Sequence, residues 1–307
     1  MVAGTPSSET PLLVILAPPR CFTTLVCAML GQHPQMYGLP ETHLFTSENM
    51  EEWWEGHRGS DRTDGLSRAV AQILFRSQTE KTICLARQWL RRPHRTTADV
   101  LRDLAAEVSP RMLVEKTPQA AWRIDHLRRI DSRFPRARFL HLLRHPLGHV
   151  LSRIERRVRA LQKDEPGLDI VQAAQRFGGA DPQMLWLRYN ANIMSFLESV
   201  GEDRQLRMRG EDLLSNPDKH LREIAVWLNL RADPEAIEAM KHPESSPFAC
   251  FGPPNAPMGG DENFFRQPTL RAARPPSQGL NDPVPWRRDG KRFRPVIRDL
   301  ARSFGYD

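Results

Sequence analysis

No stretch of this sequence reaches the roughly 18–20 consecutive apolar residues that a membrane-spanning helix needs. The opening residues, Met1 to Thr10, hold no basic patch ahead of an apolar core, so residues 1–10 read as a flexible tail and not as a secretion signal. Both absences lead us to expect a cytoplasmic protein without membrane contact. Cysteine is scarce: Cys21, Cys27, Cys84 and Cys250 are the only 4. Their spacings match neither a zinc pattern nor a redox pair, so free thiols and no bound metal are expected. A catalytic cysteine would need a histidine and an acid that the spacing does not supply. Aromatic residues make up only 7% of the chain, and its arginines are scattered instead of lying in one stripe. Nucleic acid is therefore not an expected partner. Lysine is scarcest among the charged residues, with 6 against 38 arginines and a net charge of +7. Guanidinium pairs bidentately with phosphate and sulfate, so the excess suits an anionic ligand. A genome whose codons favour arginine would explain it equally well.

What is present begins with a continuous apolar run, Leu12-Leu13-Val14-Ile15-Leu16-Ala17, followed by Pro18-Pro19-Arg20-Cys21-Phe22-Thr23-Thr24 and a helical pattern to Leu30. An unbroken run of this kind suits a strand buried on both faces of a parallel sheet. The loop after it carries a fixed cation and, at Thr23 and Thr24, two hydroxyls where a helix starts. Free N–H groups and the positive end of the helix dipole gather there, which makes an anion site. Cys21, beside Arg20 at that terminus, is expected to have an acidified thiol.

Further strands are expected at Met112–Lys116, Ala137–Arg144 and Arg204–Arg209, each followed by a helical pattern. Helices are expected over residues 98–108, 120–132, 147–161, 181–200 and 294–304, with Asp181-Pro182, Asn216-Pro217 and Asp233-Pro234 as N-cap and first-turn pairs. Alternating strands and helices predict an α/β fold, a parallel central sheet flanked by helices. No repeat or linker divides the chain, so residues 11–307 read as one domain. Residues 242–285 are rich in proline and glycine. Phe248, Phe251, Phe264 and Phe265 argue that this long segment orders against a core, as a substrate-facing loop or lid.

Pro19-Arg20-Cys21-Phe22-Thr23-Thr24-Leu25 resembles the Pro-Arg-Ser-Gly-Thr-Thr-Leu loop of sulfotransferases that use 3′-phosphoadenosine-5′-phosphosulfate (PAPS). Cys21-Phe22 replaces the family's Ser-Gly. The continuation through His33-Pro34 to Glu41-Thr42 resembles tyrosylprotein sulfotransferases, and Thr42-His43-Leu44 is similar to sulfotransferase domains of bacterial polyketide assembly lines. Arg144, Pro146 and Ser152 match the family's second motif, whereas His145, Leu147 and Gly148 depart from it. Glu115-Lys116-Thr117-Pro118 resembles a Lys-Thr-Pro segment, and Gly210-Glu211-Asp212-Leu213 a Tyr-Glu-Asp-Leu segment with glycine for tyrosine.

The resemblance implies a P-loop-like sulfotransferase fold and transfer of a sulfuryl group from PAPS to an acceptor hydroxyl, leaving PAP (adenosine 3′,5′-bisphosphate). It implies that Arg20, Cys21, Phe22, Thr23 and Thr24 hold the 5′ end of the donor. Arg144 and Ser152 would hold its 3′-phosphate. Lys116 would act on the bridging oxygen, and Glu41 or His43 would be the base; Glu41 follows Arg20 by 21 residues, the family spacing. The acceptor could be a small molecule, a peptide or a carrier-bound hydroxyl. The alternatives are a non-catalytic PAP- or nucleotide-binding homologue, favoured by Cys21-Phe22, and an ATP-dependent kinase, which lacks its Gly-x-x-x-x-Gly-Lys-Ser/Thr signature near residue 20.

Overall fold

In strand β1, Leu12–Leu16, alternate side chains enter different cores. Leu12, Val14 and Leu16 join one apolar cluster and Leu13 and Ile15 another. That division explains why the run is continuous: neither face meets water. The computed structural model describes residues 11–162, 164–176, 181–273 and 278–307. The expected tail, residues 1–10, lies outside them, as do Pro275 and Pro276 of the proline-rich segment.

The sheet has 5 strands, all parallel, in the order β2-β3-β1-β4-β5. They are β1, β2 (Met36–Gly38), β3 (Met112–Glu115), β4 (Arg138–Leu143) and β5 (Gln205–Arg209). β1 is central, with Leu13 paired to Val114 on one side and Arg138 on the other. The fold class is the α/β parallel sheet that the alternation of elements predicts. β2 was not anticipated, because 3 residues are too few to show a pattern.

Asn216 and Asp233 cap their helices through backbone N–H groups of Lys219 and Ala236, as the sequence predicts. The helix expected over 120–132 is instead broken. A 3-10 turn, Pro118–Trp122, gives way at the extended Arg123 to a helix over Ile124–Arg133. Asn192 Nδ2 donates to the carbonyls of Ala121 and Trp122, satisfying the groups the break exposes. Between β2 and β3 run helices the sequence reading did not resolve, including Arg62–Phe75 and Glu80–Leu90.

The proline-rich segment packs Phe248, Phe264 and Phe265 into the protein, whereas Phe251 is 42% exposed, against expectation. Arg68 on the Arg62–Phe75 helix anchors the segment from within. It is fully buried and donates to Gln78 Oε1 and to the carbonyls of Met258 and Cys250. Among the described residues no helix is long and apolar enough to cross a membrane.

Candidate functional site

Parallel strands place all their carboxyl ends at one edge of the sheet, and that edge is where open α/β sheets bind ligands. Arg20 follows β1, Glu41 follows β2, Lys116 follows β3, Arg144 follows β4 and Gly210 follows β5. Residues far apart in sequence are gathered there by topology.

The β1 loop turns through two left-handed residues, Arg20 (φ 73°) and Phe22 (φ 61°). For a residue with a side chain this conformation costs roughly 1–2 kcal/mol. Phe22 thus makes a glycine-type turn, and Thr23 and Thr24 begin the Thr23–Leu30 helix directly after it. Thr23 is buried. Cys21 is also buried, and burial drives its thiol pKa up, outweighing the pull of Arg144 and Arg20. The expected acidified cysteine is therefore corrected: the thiol faces the core and stays protonated.

Lys116 is 1% exposed and spans the gap between β1 and β2, since its Nζ donates to Thr24 Oγ1 at 2.7 Å and to Glu41 Oε1 at 2.9 Å. The second carboxylate oxygen of Glu41 lies 3.7 Å from His43 Nε2. Burial pushes the Glu41 carboxyl up, but Lys116 and His43 together hold it below the usual range. Burial lowers His43 to about 4 despite the neighbouring Glu41, so the ring is neutral at pH 7. Glu41 is 20% exposed and His43 only 3%, so Glu41 is the carboxylate a substrate could reach. It caps no helix.

Glu41 is held from its backbone too. Its N–H donates to the Gly259 carbonyl at 2.7 Å. Its own carbonyl is so close to Gly65 that a Cβ there would stand 2.0 Å away. His43 takes a left-handed φ of 54°, and its N–H donates to Thr117 Oγ1. Thr117 and Thr42 both donate to Glu115 Oε1. Glu115 is completely buried, its Oε2 has no partner among the described residues, and burial lifts its pKa to about 7. This carboxyl staples the strand carrying Lys116 to the segment carrying Glu41 and His43.

Arg20 Nε donates to Ser152 Oγ at 3.2 Å, and Arg144 donates to the Arg20 carbonyl at 2.6 Å. The first loop and the β4 motif are therefore one continuous surface. The Arg144 guanidinium stacks on the Phe22 ring, 4.4 Å from its centroid. The Arg20 guanidinium meets the Asp261 carboxylate at 2.6 Å, and the Asp261 N–H donates to Thr24 Oγ1 at 3.2 Å. A carboxylate thus already rests on the expected anion-binding cation. That contact shows that the Arg20 guanidinium can hold an oxyanion at this edge.

All the residues singled out from sequence lie at this edge. Missed were Asp261, Glu115, Gly65 and Arg68. Glu115 had a signal in its place beside Lys116, and Asp261 lies among the glycines of the long loop.

The model of the sulfotransferase family matches residues 11–234. No curated protein matches the chain in sequence. Among solved structures, the chain is similar to the sulfotransferase domain of the Synechococcus PCC 7002 olefin synthase, with 27% identity, a TM-score of 0.73 and 98% of each chain covered. It has the fold of a sulfotransferase domain from the curacin biosynthetic pathway, with 24% identity, a TM-score of 0.75, 97% of this chain and 98% of that one covered. With its family model matched over most of its length, this chain belongs to the sulfotransferase family.

Proposed function

We propose that this chain transfers a sulfuryl group from PAPS to a hydroxyl of a biosynthetic intermediate. The observation that carries the reading is the Lys116 bridge, one buried ammonium held between Thr24 of the first loop and the accessible Glu41 carboxylate. Arg20, Thr23, Thr24 and the N–H groups of the loop at Cys21 and Phe22 would hold the 5′ end of the donor. Arg144 and Ser152 would hold its 3′-phosphate. The donor supplies an activated sulfuryl group with a phosphate as leaving group.

The protein's work is positioning and electrostatics. Lys116 places a fixed positive charge next to the loop, where negative charge collects in the transition state. Glu41, kept ionised, accepts the proton of the acceptor hydroxyl; it needs to come within roughly 2.6–3.2 Å of it in the reactive complex. His43, neutral and buried, orients Glu41 from the far side. The segment around Gly259–Asp261 covers this machinery as a lid. The olefin synthase and curacin pathway origins of the similar domains favour a biosynthetic hydroxyl over a peptide as acceptor.

The test has two arms. Calorimetry with PAP, AMP and ATP reads the donor site, with PAP expected to bind most tightly. Incubating the protein with sulfur-isotope-labelled PAPS and cell extract, followed by mass spectrometry, reads transfer as labelled products heavier by one SO3 group. Equal affinity for PAP and AMP, or no labelled product with any extract, would overturn the reading.

A further inference from the structure

The Arg144 guanidinium lies in a slot whose walls come from three separate parts of the chain. Phe22 of the first loop forms one wall, its ring centroid 4.4 Å from the guanidinium carbon. Gly148, in the first turns of the Pro146–Leu161 helix, forms another, since a Cβ there would stand 3.1 Å from Arg144 Nε. Gly210, just beyond β5, backs the Phe22 ring: a Cβ at Gly210 would stand 2.5 Å from Phe22 Cδ2, and 3.1 Å from both its Cε2 and the Leu143 carbonyl oxygen. A side chain at residue 210 would force the Phe22 ring to shift, and one at residue 148 would press the Arg144 side chain by a few tenths of an ångström.

These are also three positions at which the chain departs from the family motifs it resembles: Phe22 stands where the loop has glycine, Gly210 where its segment has tyrosine, and Gly148 within the second motif. They are far apart in sequence and meet at one guanidinium. Departures that scatter over a fold mark drift; departures that converge on one group and fit each other in space mark a coupled replacement. The Arg20 carbonyl, accepting from Arg144 at 2.6 Å, fixes the remaining edge. Among the described residues no carboxylate makes a direct ion pair with Arg144; Glu211 and Glu155 act on it only from a distance, and its close partners are the Phe22 ring and the Arg20 carbonyl. A ring this close to the guanidinium carbon attracts the cation and limits where its planar fork of donors can lie.

We infer that Phe22 is a positioning residue for the donor site: seated on Gly210, it orients the Arg144 guanidinium so that the protein selects a nucleotide with a 3′-phosphate over one without. The inference rests on the PAPS reading above, and it assigns to this chain its own way of holding an arginine at the anion site. Phe22 needs no contact with the nucleotide to act in this way.

The experiment measures the ratio of PAP to AMP affinity by calorimetry on the whole chain. Phe22→Leu keeps an apolar side chain but removes the ring, and the ratio should fall about five- to tenfold, the worth of a partly desolvated cation–π contact, through PAP alone. Phe22→Trp, which keeps an aromatic face, should fall less than Phe22→Leu. Gly210→Ala should lower the ratio by displacing the ring. In a Phe22→Gly background the same Gly210→Ala change should lower the ratio less than it does in the wild type, because the ring is gone and only the Leu143 carbonyl, 3.1 Å from the added Cβ, stands in its way. A wild-type ratio retained by a folded Phe22→Leu variant overturns the inference and leaves the donor reading standing. A wild-type ratio near one overturns the donor reading itself. If Gly210→Ala does not fold, the Phe22→Leu ratio decides alone.

Discussion

Asp261 lays its carboxylate 2.6 Å from the Arg20 guanidinium while its backbone N–H donates to Thr24 Oγ1. A residue of the proline-rich segment thus engages two groups assigned to the donor. If the phosphosulfate of PAPS binds at Arg20 as proposed, it must displace this carboxylate. Asp261→Asn should therefore strengthen PAP binding by about two- to fivefold, the worth of a partly exposed ion pair, as read by calorimetry. A tenfold weakening would instead make Asp261 a contributor to donor binding.

Glu41 and His43 can be separated by rate. Glu41→Gln should lower turnover about 10²–10⁴-fold, the usual cost of removing a general base, with PAP affinity nearly unchanged. His43→Asn should cost less, because His43 is 3% exposed and acts through Glu41. The rate of the wild type should fall only at pH values below the ordinary carboxylate range, since Lys116 and His43 hold the Glu41 carboxyl down. Near-normal turnover in Glu41→Gln with a collapsed rate in His43→Asn would move the role to His43.

Gly65 tests placement apart from chemistry. A Cβ at this position would stand 2.0 Å from the Glu41 carbonyl oxygen. Gly65→Ala must push the Glu41 segment aside, at a stability cost of about 1–3 kcal/mol for overpacking. Turnover should suffer more, because a displacement of about 1 Å at a catalytic group can cost 10²-fold. Thermal melts and initial rates on the same preparation check the split.

Arg68 is the internal tie of the proline-rich segment. Arg68→Met would strand Gln78 Oε1 and the carbonyls of Met258 and Cys250, at about 1–3 kcal/mol for each acceptor left without a donor. Urea titration should show the loss, and limited proteolysis should cut first near residues 250–258.

Stability should decline on the acid side. Burial lowers His43 and His145 to about 4 and His141 to about 3, and holds His149 well below its ordinary value. Each is neutral in the folded chain and protonated in the unfolded chain between its folded pKa and about 6.5. Their stabilisation is complete above that pH and is lost as pH falls towards 4, at up to about 1.4 kcal/mol per pH unit per histidine. Glu115, raised to about 7, acts in the opposite sense: its term is present below the ordinary carboxylate pKa and is lost as pH rises through 7. Four histidines outweigh one glutamate, so melting temperatures should fall from pH 6.5 to 4. A flat profile over that range would contradict the burial of these rings.

The buried strands and the capped helices were legible because their signals are local. Leu12–Leu16 is apolar throughout, and Asn216-Pro217 and Asp233-Pro234 state a helix start in two residues each. The gathering of Arg20, Lys116 and Arg144 at one edge was legible because each follows an expected strand of a parallel sheet. What stayed hidden depends on tertiary approach. Gly65 looks like any glycine in a helix until the Glu41 carbonyl is placed against it, and Asp261 reads as a loop acid until Arg20 is opposite. Cys21 was misjudged because proximity to arginine is visible in sequence and burial is not. Met36–Gly38 is too short to carry a period.

The strand order has a kinetic consequence. β1 is flanked by β3 and β4, whose partners for Leu13 are Val114 and Arg138, so the central pairings close long loops. Such non-local pairings form slowly, and chains built on them spend longer with strand edges exposed. Arg20, Lys116 and Arg144 cannot converge until both flanking strands have docked on β1. Anion affinity should therefore arise late and all at once during refolding, and PAP should draw the chain through that last step by binding only the finished sheet.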